Sequence, residues 1–296
     1  MRNKLFTRNY HAMLLPGSIL LFIFTIIPLF GVVIAFQKYV PGKLIWDQRW
    51  VGFDNFAFMF QLPDSKQVFI NTLVIAIVKI VLGVIVPVIF ALLLHEIQGR
   101  IFKKWVQTIV YLPHFLSWVI LAGILINIFS LDGIVNQIAG WFGIEPTMFM
   151  TSNSWFRPIV IGSDIWKEFG FKAIVYLAAL TGINPSLYEA AAIDGAGRFH
   201  KLRYVTLPAI MPTVILLTTL SLGNVLNAGF DQIFNMYNPL VYATGDIIDT
   251  YVYRIGLVEM QYGLATAVGL LKSVVAIILI AISYRLAYKY ANYRIF

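Results

Sequence analysis

The sequence predicts an all-α membrane protein of six transmembrane helices with both termini in the cytoplasm. Three observations carry that expectation: the composition, the length of the uncharged runs, and the side of the membrane to which the basic residues fall. Of 296 residues, 59% are hydrophobic and 12% are charged, with a mean hydropathy of +0.80. A soluble globular chain carries about 25% charge. Segments 12–37, 105–131 and 204–230 contain no Asp, Glu, Lys or Arg, and each exceeds the roughly 20 residues that cross the hydrocarbon.

The spans follow in chain order. The first, 12–37, comes after Arg2, Lys4 and Arg8. It is longer than the roughly 7–15 apolar residues of a secretory signal and ends without a small-residue cleavage site, so it reads as a retained helix. The second, about 69–94, carries Lys79 and is punctuated by Gly83 and Pro87; the third, 105–131, contains Gly123. The fourth, about 158–181, carries Asp164, Lys167, Glu168 and Lys172. The fifth is 204–230, and the sixth, about 264–289, carries Lys272. Residues 1–11 are a cytoplasmic N-terminus and 12–296 one membrane domain. Cysteine is absent, which excludes disulfides and thiolate metal sites.

Orientation follows from the basic residues. With the termini inside, the short segments on that side hold Arg2, Lys4, Arg8, Arg100, Lys103, Lys104, Arg198, Lys201, Arg203, Arg285, Lys289 and Arg294. The longer loops opposite hold only Lys38, Lys43, Arg49, Lys66, Arg157 and Arg254, and of the acids only Glu96, Glu189 and Asp194 lie inside. That is the positive-inside pattern. The net charge of +8 therefore sets topology and gives no basic stripe for nucleic acid. The outer loops, 38–68, 130–157 and 231–259, are aromatic and polar, as expected of an interfacial belt.

One cytoplasmic insert stands apart. Residues 182–208 contain an Asn184-Pro185 turn, then Ser186 three residues before Glu189, a capping-box spacing. A short helix through Ala190, Ala191 and Ala192 should stop at Asp194-Gly195, where Gly supplies left-handed geometry. A second short helix places Phe199, Leu202 and Val205 on one face, and Pro208 falls in the first turn of the next membrane helix. Two short helices would thus lie across the cytoplasmic mouth.

The residues of this insert resemble the EAA loop of bacterial ABC importer permeases. That pattern is Glu-Ala-Ala, three residues, Gly, nine residues, an aliphatic residue, any residue, then Leu-Pro. It is met by Glu189, Ala190, Ala191, Gly195, Val205, Leu207 and Pro208. The carbohydrate version adds Ile193, Asp194, Ala196 and Thr206. Segments 13–16, 51–56, 107–115, 130–136, 249–254 and 265–273 are similar to the complex-saccharide branch of the carbohydrate importer permeases.

The resemblance implies a type I importer permease fold and a coupling role for Glu189, Ala190, Ala191, Asp194, Gly195, Leu207 and Pro208. It also implies a second, different permease, two ATP-binding-cassette subunits that bind the ATP and Mg, and an extracellular solute-binding protein that delivers an oligosaccharide or polysaccharide fragment. The chain would bind no cofactor and catalyse nothing itself. Its only Gly-Lys pair, Gly42-Lys43, precedes Leu44, so no phosphate-binding loop is present.

Charges within the membrane face a bundle interior or a wet cavity. Asp164/Glu168 and Glu168/Lys172 are four apart, a spacing for intrahelical pairing; alternatively the cluster lines a sugar path with Trp166 and Tyr176. Lys79 and Lys272 lack a near partner in sequence and call for cross-span pairing. Trp118, Asn127, Gln232 and Asn235 are eligible sugar contacts that sequence cannot rank. A membrane enzyme and an ATP-independent carrier are the competing classes. The first is disfavoured by scattered histidines (His11, His95, His114, His200) and by a His95-Glu96 pair with no second His at zinc-protease spacing.

Overall fold

The computed structural model describes residues 2–291, with side chains from 10 to 285. The terminal charges Arg2, Lys4, Arg8, Lys289 and Arg294, on which part of the orientation rests, lie outside the described side chains. The chain divides into two units, 1–65 with 251–271, and 66–250 with 272–296.

The first unit opens with α1, Arg2–Leu21. A π-helical turn (Phe22–Ile26), a short α-helical piece (Ile27–Leu29) and a 3₁₀ turn (Phe30–Phe36) continue it. The wide turn stands immediately ahead of Pro28, and the Ile27 N–H reaches back five residues to the Phe22 carbonyl. Proline supplies no N–H and crowds the preceding turn, and a π-bulge absorbs that. A small ribbon follows, β1 (Gln37–Lys38) antiparallel to β2 (Arg49–Trp50). Its loop is closed by Gln48, which accepts from the Val40 N–H and donates to the carbonyls of Val40 and Lys43. Helix α2 (Asp54–Gln61) is joined to the 3₁₀ turn and β1 by Asn55, whose amide donates to Ala35 O at 2.8 Å and Gln37 O at 3.1 Å.

The second unit holds most of α3 (Pro63–Glu96), then α4 (Arg100–Tyr111), α5 (Trp118–Ile128), α6 (Ile134–Trp141), α7 (Asn153–Thr181), α8 (Pro185–Ile193), α9 (Arg198–Leu222), α10 (Phe230–Met236) and the first half of α11 (Ile248–Tyr253). The long closing helix α12 (Tyr262–Ala291) begins in the first unit and ends in the second. Its core is two apolar clusters. Ile75, Leu121, Phe156, Val160, Ile233 and Ile247 form one; Ala91, Leu94, Ala173, Tyr176, Leu180 and Ile210 form the other. Gly170 lets α7 meet α4: a Cβ there would stand 2.4 Å from the Val110 carbonyl oxygen.

Among the described residues, four helices are long and apolar enough to cross a bilayer: Tyr10–Phe36, Pro63–Glu96, Arg198–Leu222 and Tyr262–Arg285. At most 22% of each apolar window is buried within the chain. Phe24, Leu93 and Ile277 are each more than 60% exposed, so the surroundings must be lipid or another apolar helix.

Three expectations need correction. The third span is not one helix: 100–115 and 118–128 meet at a 103° bend. The break lies at Leu116 and Ser117, both extended, between a 3₁₀ turn (Leu112–Phe115) that closes the first helix and the N-cap of α5; Gly123 sits inside α5. Gly83 and Pro87 do not break α3, which is helical throughout. The fifth span starts earlier and ends at Leu222, with 223–229 non-helical. The bent pair is a fifth span if taken as one, whereas α7, with five charged residues (Arg157, Asp164, Lys167, Glu168 and Lys172), is not among the apolar helices.

Candidate coupling loop and translocation path

Helix α8 is capped by Asn184, not by Ser186: the Asn184 side-chain oxygen accepts from the Ser186 N–H at 3.0 Å, with Pro185 at the first position. Either residue type caps well, and Pro185 decides between them because proline fits the first helical position. Glu189 therefore stands in the body of α8, exposed, rather than closing a capping box. The C-terminus follows expectation. Asp194 is the C-cap and Gly195 has φ +75. The Gly195 N–H bonds to Ala192 O at 3.1 Å and the Ala196 N–H to Ala191 O at 2.8 Å, the paired bonds of a Schellman stop.

Gly197 then caps α9. The second short helix is not separate from the membrane helix. Arg198–Leu222 is one run, with a π turn at Leu202–Thr206 where the Leu207 N–H bonds to Leu202 O. Pro208 follows that turn, the same device as at Pro28. Tyr188 of α8 is hydrogen-bonded to buried Thr206 of α9, 2.9 Å between hydroxyls. The loop's outer surface is Leu187, Ile193, Phe199 and Tyr204, all at least half exposed. Exposed too are Glu189, Ala190, Asp194, Gly195 and Pro208, while Ala191 and Leu207 are half-buried.

Lys79 and Lys272 pair across helices, as expected; on α7 neither i,i+4 pair forms, since Asp164 meets Lys79, Glu168 meets His114 and its own neighbour Lys167, and Lys172 meets neither acid. Lys79 of α3 meets Asp164 of α7 at 3.2 Å, donates to Ala228 O at 2.8 Å, and donates to Gln232 Oε1. Gln232 is fully buried and donates to Val160 O and Ser163 Oγ. Lys272 of α12 meets Asp249 at 2.6 Å and Asn227 Oδ1 at 2.9 Å.

A third cluster holds the α4–α5 bend. Lys167 donates to His114 O at 2.8 Å and lies 3.1 Å from Glu168, whose other oxygen is 2.9 Å from His114 Nδ1. The His114 ring is stacked on Phe171, 3.9 Å between centres, and Lys167 lies over Trp118. Each pairing gives a charged group the partner that low-dielectric burial requires.

Of the eligible sugar contacts, the structure therefore brings Asp164 and Gln232 together, and Trp118 with Glu168. Tyr176 is buried in the second apolar cluster. Trp166 lines an apolar groove with Trp155, Phe129 and Phe149. Asn127 is exposed on α5, and Asn235 bonds within its own helix to Asp231 O at 2.7 Å. Sequence reading missed His114, Asp249 and Asn227 as partners; each is polar in or beside an apolar span, the one signal that marks it.

Residues 83–295 match the family described as the binding-protein-dependent transport system inner membrane component. The chain belongs to this family. It is 42% identical over 271 residues to Protein LplB of Bacillus subtilis (strain 168), covering 91% of this chain and 85% of that one. It is 40% identical over 291 residues to the polygalacturonan/rhamnogalacturonan transport system permease protein YteP of the same organism, covering 98% and 91%. A chain in the crystal structure of a bacterial ABC transporter involved in import of the acidic polysaccharide alginate superposes with a TM-score of 0.89 at 40% identity, covering 97% of this chain and 98% of that one. The family resemblance read from the loop thus holds, and the chain is an ABC permease of the carbohydrate-import kind, with several apolar helices in the inner membrane.

Proposed function

We propose that the chain is the transmembrane permease subunit of an ATP-binding-cassette importer, moving an oligosaccharide or polysaccharide fragment into the cytoplasm by alternating access. The bent pair α4–α5 and helix α7 complete six spans, with the termini and the 182–208 loop cytoplasmic. Two ATPase subunits, which hold the ATP and Mg, dock on that loop through Glu189, Ala190, Ala191, Asp194, Gly195, Leu207 and Pro208. A second, different permease and an extracellular solute-binding protein complete the assembly; a related alginate importer structure was obtained with a pentasaccharide-bound periplasmic protein.

The observation that supports this reading best is mechanical. Helix α8 is stopped by the Gly195 Schellman turn and tied by Tyr188 to Thr206, at the root of a membrane helix. A push on α8 therefore reaches α9 through a short, stiff connection. The wet path is supplied by the polar cluster around Lys79, Asp164 and Gln232.

Mass spectrometry of the tagged chain, purified in mild detergent from its native host, tests the assembly. Stoichiometric recovery of an ATP-binding-cassette subunit and a second permease, lost on Gly195→Val, is the expected result. A folded chain recovered alone would overturn it in favour of a carrier.

A further inference from the structure

We propose that the path through this subunit contains an anion subsite, built by Lys172 with Asn224, that recognises a carboxylate of an acidic saccharide. This deepens the importer reading and rests on it. Lysines 79, 167 and 272 each have a carboxylate within 4 Å. Lys172 has neither a carboxylate nor a hydrogen-bond partner among the described residues, so its three donors are uncommitted. An unpaired cation at membrane depth is costly unless it faces water or an anionic ligand.

Lys172 lines a cavity of about 210 Å³ with Lys79, Gly83, Asp164, Ser221, Asn224 and Gly229. That is below the ~300–1,000 Å³ of sites for drug-sized ligands, so it fits one sugar unit rather than a chain. The cavity's charged groups are two lysines and one aspartate, a net single positive charge. Asp164 is already neutralised by Lys79, so the surplus resides on Lys172.

Two backbone features place the cations there. Lys172 Nζ stands 3.2 Å from where a Cβ would sit on Gly83, and Lys79 Nζ 3.0 Å from the same point on Gly229. Glycine at each position gives the ammonium room. Segment 223–229, which forms one wall, is non-helical between α9 and α10, with Gly229 at φ +102. At membrane depth such backbone is tolerated where it is buried in protein or lines a water-filled cavity. The Asn224 side-chain oxygen accepts from Asn227 at 3.3 Å, which leaves its N–H₂ to a ligand oxygen. A lysine and an amide donor together match a carboxylate; a neutral sugar would leave the lysine uncompensated.

The test uses the intact importer from its native host, reconstituted in proteoliposomes with its binding protein and supplied with ATP. The probes are trigalacturonate, its methyl ester (close in size, uncharged) and maltotriose. Wild type should prefer the acid to the ester. Lys172→Met should lower the acid-to-ester uptake ratio about tenfold, the scale of one lost charge-assisted hydrogen bond, and Lys172→Arg should recover it. Asn224→Asp, which adds repulsion, should lower the same ratio independently.

An unchanged ratio in Lys172→Met and Asn224→Asp, or equal loss of both probes, overturns the subsite. So does a wild type that prefers ester or maltotriose, although the importer reading then stands. Failure of all three probes to enter with ATP removes the subsite together with the saccharide-importer reading.

Discussion

Lys79 on α3 and Asp164 on α7 form a cross-helix ion pair at 3.2 Å, with side chains only 9% and 19% exposed. The Ala228 carbonyl and Gln232 take the remaining lysine donors, so the pair closes a network of three segments. Removing one partner of a buried pair costs about 3–5 kcal/mol, because an uncompensated charge remains, whereas replacing both with neutral groups costs far less. Lys79→Met and Asp164→Asn should each lower the thermal midpoint of the detergent-solubilised importer. The double variant should be more stable than either single one. Additive losses would show that the two groups do not depend on each other.

Gly170 has a different kind of constraint, since a Cβ would meet the Val110 carbonyl at 2.4 Å and its side chain at 2.6 Å. Backbone cannot swing aside as a side-chain tip can, so α4 and α7 would have to separate. Gly170→Ala should destabilise the protein by about 1–3 kcal/mol, the usual cost of overpacking. Gly162→Ala on the same helix meets nothing within 4 Å and serves as control. Comparing yield and thermal midpoint of the two variants checks the point; equal behaviour would refute the close crossing.

At Gly195 space is not the limit, because nothing lies within 4 Å of a Cβ there; backbone conformation is. At φ +75 an ordinary L-residue pays roughly 1–2 kcal/mol, and Asn less. Gly195→Asn should therefore retain the ATPase subunit in pull-downs and retain uptake. Gly195→Val should leave the chain in the membrane yet lose both. Full uptake by the valine variant would remove the turn from the coupling path.

What was legible in sequence follows from what is local. Uncharged runs marked the apolar helices because lipid demands about 20 apolar residues wherever a helix crosses. The Gly195 stop was legible because one residue type answers one backbone geometry. Ser186 was a wrong cap because Asn184, two residues earlier, is equally able, and the choice turned on Pro185. The bend at Leu116–Ser117 was hidden because residues on both sides stay apolar, so hydropathy passes through it smoothly. Partners such as Asp249 for Lys272 or His114 for Glu168 are distant in sequence. An all-round apolar helix has no periodicity to tell which face meets a neighbour.

Among the described residues, the hydrogen bond between Tyr188 and Thr206, 2.9 Å long, is the one side-chain hydrogen bond between α8 and the root of α9, and Thr206 is buried. Removing the phenolic oxygen by Tyr188→Phe keeps the ring's packing and deletes a bond worth about 1 kcal/mol. If α8 moves α9 through this link, docking should survive while transport loosens from ATP use. Pull-down of the ATPase should then be unchanged, and the ratio of sugar imported to ATP hydrolysed should fall several-fold in proteoliposomes. Thr206→Val, which keeps the shape and removes the other oxygen, should give the same ratio, and the double variant should be no worse than either single one. A ratio unchanged in all three variants would mean that force passes instead through the Gly195–Gly197 turn itself.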